Sequence, residues 1–151
     1  MLAGAKEIAA DMVGVIFIAS TAPSLVIKLT GPYWFHLLSY KTRMIIVGIS
    51  FALSFIIVGS FVGISLGMCL FGIIIGATGS AIGEASFLAL SSFYSNPRTC
   101  ITAWSSGTGF SGVLGYGYYI MFTMLFKESF SLSLFIAIIF AVGFILNFFY
   151  I

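Results

Sequence analysis

Glu84 is an acid set inside an apolar run. The stretch that carries it, from Gly76 to Gly117, closes with Tyr94-Ser95-Asn96-Pro97-Arg98 and then opens a second run led by Trp104 and filled with Ser, Thr and Gly. A carboxyl group at membrane depth is costly, so it must face protein, water or a substrate rather than lipid. Ser105, Ser106 and Thr108 supply hydroxyls on the second run, and Ser20 and Thr21 supply two more beside Pro23. Glu84 kept only for structure, protonated or hydrogen-bonded to serine and backbone, is the alternative reading.

Other reactive types do not assemble into a site. His36 is the single histidine, and it stands beside Trp34 and Phe35 with no second His, Cys or acid at ligand spacing, which reads as an interfacial residue. Cys69 and Cys100 have no paired spacing, so neither a metal nor a disulfide is expected. Gly107 to Gly112 spells G-x-G-x-x-G, but no strand precedes it, so no dinucleotide or other cofactor is expected. Ser105 and Ser106 have no base in reach except Glu84, which argues against hydrolysis and against an enzyme.

The elements that must hold these residues follow from composition. With 61% hydrophobic and 7% charged residues and a mean hydropathy of +1.21, the chain falls far from the about 25% charge of soluble domains. Long uncharged runs separated by short charged breaks give an all-α, polytopic membrane protein of about five transmembrane helices, not a barrel. A net charge of +2 with no basic cluster excludes nucleic acid as a partner.

The spans expected are about 12–27, 44–63, 66–93, 99–126 and 129–151, in a single bundle. Ser20-Thr21-Ala22-Pro23 reads as a kink whose freed carbonyl the hydroxyls satisfy. Lys28 to Arg43, with Gly31-Pro32 and four aromatic residues, reads as an interfacial connection. Gly72, Gly76, Ser80 and Glu84 share one face of the third span, with Gly79 and Gly83 beside them. Gly107, Ser111 and Gly115 share a face of the fourth, with Gly109 and Gly112 near it. Small residues four apart permit close helix packing. Lys28, Lys41, Arg43 and Arg98 against Lys6 and Lys127 place the first-to-second and third-to-fourth connections in the cytosol.

These residues resemble the battenin family of lysosomal and vacuolar membrane proteins. The resemblance rests on Pro23 to Lys28, on His36-Leu37-Leu38 with Tyr40 and Arg43, and on Gly83-Glu84 followed by Phe87-Leu88 and Phe93-Tyr94. It rests above all on Trp104-Ser105-Ser106-Gly107-Thr108-Gly109 with Gly112. It covers essentially the whole chain but only part of the family's length. The implied fold is the end of a first helix followed by helices two to six of a twelve-helix fold similar to the major facilitator superfamily, truncated at both ends. The implied activity is small-solute export, linked to organelle pH, basic amino acid balance and glycerophosphodiesters, with membrane lipid, a small solute and protons as partners. A missing second helical half or self-association would complete the path. A membrane scaffold or trafficking protein without transport is the rival expectation.

Overall fold

A chain this apolar has no water to satisfy its backbone within a bilayer, so its peptide groups must bond within each segment, and helices result. The computed structural model describes residues 12–122 and 130–150. Within them the chain forms five α-helices and no strand: α1 (Val13–Trp34), α2 (Tyr40–Phe61), α3 (Leu66–Ser91), α4 (Pro97–Ile120) and α5 (Phe130–Tyr150). A short 3-10 turn, Phe35–Leu37, joins α1 to α2. The expected segment before residue 12 and the break at Lys127-Glu128 lie outside the described residues. Three helices, α1 with its following turn, α2 and α3, are long and apolar enough to cross a membrane; α5 contributes a shorter apolar stretch, Leu132–Phe148.

α1 departs from the sequence expectation. It does not end near residue 27 but continues through Pro23 and Pro32 to Trp34, so Lys28 stands in a helix and not in a connection. Gly31-Pro32 does not break it: Pro32 falls within the last turn and forfeits only the bond that an N–H there would give the Lys28 carbonyl. The Ser20 and Thr21 hydroxyls both donate to the Phe17 carbonyl, at 2.8 and 2.9 Å. The carbonyl that Pro23 releases is that of Ala19, four residues back. The two hydroxyls therefore reinforce the turn before the proline rather than satisfy the group it frees.

α2 and α3 form the tightest pair. A Cβ added at Gly72, Gly76 or Gly79 would lie 2.8 Å from Val58 Cγ2, 2.5 Å from Ser54 Oγ and 2.7 Å from Ser50 Cβ respectively. Only glycine lets the backbones come this near. Ser54, fully buried, uses the proximity by donating its hydroxyl to the Gly72 carbonyl at 2.6 Å. Between the two helices the chain reverses at Gly63, whose φ of 79° favours glycine. α5 covers another face of α2, with Gly48 against Ile145 and Gly59 against Leu134 and Phe135. Ile16, Val58, Cys69, Ile73 and Leu134, drawn from α1, α2, α3 and α5, form the core.

α4 is different. No residue of it is buried, and Gly107, Gly109, Gly112, Gly115 and Gly117 have nothing within 4 Å of where a Cβ would sit. Tyr118 fastens its far end to α5 by donating to the Ser133 carbonyl at 2.7 Å. The rest of the helix stands across two open spaces.

Candidate functional site

The larger space, about 730 Å³, lies among four helices. α1 contributes Phe17, Ser20, Thr21 and Ser24, and α3 contributes Ile73, Gly76, Ala77 and Ser80. Phe51, Ser54 and Phe55 of α2 and Ser111, Gly112, Gly115 and Tyr116 of α4 complete its walls. The smaller space, about 390 Å³, is lined by Val47 and Phe51 of α2, by Ser80, Gly83, Glu84 and Phe87 of α3, by Trp104, Thr108 and Ser111 of α4, and by Phe144 of α5. Phe51, Ser80 and Ser111 belong to both walls, so the two spaces adjoin at these three residues.

Glu84 is not alone on this surface. Lys28 Nζ lies 2.7 Å from Glu84 Oε2, an ion pair that ties α1 to α3. The Lys28 side chain is 44% exposed and that of Glu84 33%, so neither end is sealed within the bundle. Phe17, Thr21, Ser24 and Lys28 recur at helical spacing along one face of α1, and Gly76, Ser80 and Glu84 do so on α3. Two polar stripes thus run from the larger space towards the pair. Glu84 lies about 10 Å short of the Ser91 end of α3 at 1.5 Å per residue, beyond the helix midpoint at Thr78 and Gly79.

The hydroxyls divide sharply. Ser20, Thr21 and Thr108 line the cavities, whereas Ser105 and Ser106 are exposed and line neither. The arrangement therefore brings Thr108 and Ser111 to the side of α4 nearest Glu84 and leaves the two adjacent serines elsewhere. Thr108 donates to the Trp104 carbonyl at 2.7 Å and Ser111 to the Thr108 carbonyl at 2.7 Å. Their hydrogens are committed to α4, and lone pairs are what they offer the cavity.

Lys28 was missed by sequence reading, although a signal existed. A span of sixteen residues, 12–27, is short of the about 20 needed to cross the hydrocarbon, and lengthening it draws Lys28 into the helix. Placed there, it completes the Thr21, Ser24, Lys28 stripe.

Arg43 is the other basic residue that the fold holds. It is 5% exposed, donates from Nε to the Leu38 carbonyl at 3.1 Å and from Nη1 to Ser86 Oγ at 3.4 Å, and lies over the rings of Phe35 and Tyr40. Its guanidinium thus joins the α1–α2 connection to α3, with Ser86 only two residues beyond Glu84. Of the four bases counted for orientation, Lys28 and Arg43 are accordingly engaged by protein. His36 is exposed in the 3-10 turn.

Comparison with known proteins gives a family model described as CLN3 protein, which matches residues 1–151. Battenin from Canis lupus familiaris is 41% identical over 66% of this chain and 22% of its own length. Protein BTN1 from Candida glabrata is 35% identical over 93% of this chain and 34% of its own, and Protein BTN1 from Kluyveromyces lactis is 33% identical over 83% and 33%. The chain spans about a third or less of the length of these curated relatives. No solved structure matches it.

Proposed function

The chain belongs to the battenin family, and on that premise we propose that it is part of a multi-pass transporter of the lysosomal or vacuolar membrane. A small solute crosses through the adjoining cavities and meets the Lys28–Glu84 pair on the way. The observation that carries this reading is the pair itself: two opposite charges, partly open, of which Glu84 lines a space large enough for a small molecule. Charges within a membrane helix mark solute or ion pathways by default, because their cost is tolerated only where they act. Secondary transporters place such groups where Gly-rich helices face a cavity, and their halves rock around the site.

In this reading the five helices are the N-terminal bundle of a major-facilitator-type fold, completed by a second helical half or a second copy. Export of a small solute, linked to protons through Glu84, then feeds into organelle pH and basic amino acid balance. In this reading the protein acts as a transporter and not as an enzyme. Glu84→Gln, introduced into the intact protein reconstituted in liposomes, is expected to abolish pH-dependent solute movement or to uncouple it from pH. Unchanged movement at every pH would remove Glu84 from the path.

The scaffold reading draws support from α4, which has no buried residue and leaves most of its surface open to a partner. Solvent access separates the two. A cysteine placed at Ser111, in a background without Cys69 and Cys100, should react with a water-soluble thiol reagent if the cavities conduct. It should stay silent if helix packing is their only use.

A further inference from the structure

Lys28 and Glu84 stand differently towards the cavity. Glu84 lines the smaller space together with the rings of Phe87, Trp104 and Phe144, while Lys28 lines neither space and reaches the carboxylate from α1. The lysine holds Oε2. Among the described residues, no basic side chain lines the smaller space. What the wall presents is a carboxylate, the Thr108 and Ser111 oxygens whose hydrogens are committed within α4, the Ser80 hydroxyl, and aromatic faces. Each of these attracts a cation.

We infer that Lys28 is a built-in occupant of a cation site: its ammonium neutralises Glu84 while the cavity is empty, and the ammonium group of an incoming solute displaces it. The inference rests on reading the cavities as a solute path and names the class of solute, a small organic ammonium compound. A lysine suits the role because its charge is a compact point on a flexible stem, able to withdraw along α1 once replaced. Displacement swaps one ammonium for another, so the half-buried carboxylate is never left bare, which would be the costly state.

The consequence is a competition that substitution can remove. With Trp34 and every tryptophan of the intact protein other than Trp104 replaced by Phe, Trp104 reports on the cavity wall. Ethanolamine, with ethylene glycol as its neutral counterpart, is titrated into the detergent-solubilised intact protein at constant ionic strength. Lys28→Met is expected to bind ethanolamine about fivefold more tightly than the parent, the size of effect a partly exposed ion pair provides. Glu84→Gln is expected to lose the response, and ethylene glycol to give none.

Unchanged or weaker ethanolamine binding by Lys28→Met would overturn the inference, as it would if the lysine gripped an anionic part of the solute instead. If Lys28→Met does not fold, the exchanged pair Lys28→Glu with Glu84→Lys keeps the tether and decides the matter. It should lose the ethanolamine response, and keeping it would overturn the inference. Because the readout is equilibrium binding, these results are separable from the liposome assay, where indifference to Glu84→Gln defeats the transport reading itself.

Discussion

α3 and α4 carry the same small-residue spacing and meet different surroundings. On α3, glycines 72, 76 and 79 are pressed against Val58, Ser54 and Ser50 of α2; on α4, glycines 107, 109, 112 and 115 touch nothing. Glycine every fourth residue permits approach and does not cause it. The cause lies in the facing helix, where Val47, Ser50, Ser54 and Val58 recur at matching helical spacing and fill what the glycines vacate. No helix offers α4 such a counterpart, and the volume that stays open there is cavity.

Three matched pairs of substitutions test this contrast, read as thermal unfolding of the detergent-solubilised protein. The largest effect is expected from Gly76→Leu, which forces a side chain where a Cβ alone would lie 2.5 Å from Ser54 Oγ, at a cost of about 3 kcal/mol. Gly109→Leu, into open space, should change stability by no more than about 0.5 kcal/mol. Equal losses would erase the distinction between the helices. Next, Arg43→Ala should cost about 2 kcal/mol through two charge-assisted hydrogen bonds and its stacking on Phe35 and Tyr40. Arg98→Ala, at the exposed start of α4, should cost little. The smallest contrast is Ser54→Ala, which leaves the Gly72 carbonyl without its buried donor for about 1 kcal/mol, against Ser106→Ala, expected to be silent.

What could be read in advance follows the same division. Apolar run lengths suffice to locate α3, expected at 66–93 and found at Leu66–Ser91, because a long apolar segment without proline, interrupted only by Glu84, has one way to satisfy its backbone. α1 was less legible. Gly31-Pro32 carries the pattern of a breaker, and only the position of that pair in the final turn makes it compatible with a helix. The site suffered most from this, since Lys28 becomes a partner for Glu84 only once α1 is known to reach it. Ser105 and Ser106 show a second limit. Which face of α4 turns towards α3 depends on the rotation of one helix against another, and a helix with no buried face leaves no amphipathic pattern from which to read that rotation.

The ion pair has an electrical corollary. A lysine and a glutamate that travel together carry no net charge, so the voltage across a membrane does no work when α1 and α3 shift as one body. A motion that draws the two residues apart along the membrane normal is another matter, since each elementary charge moved across 100 mV exchanges about 2.3 kcal/mol with the field. For these two residues, sensitivity to membrane potential therefore falls on the step in which Lys28 leaves Glu84, and a charged solute adds its own.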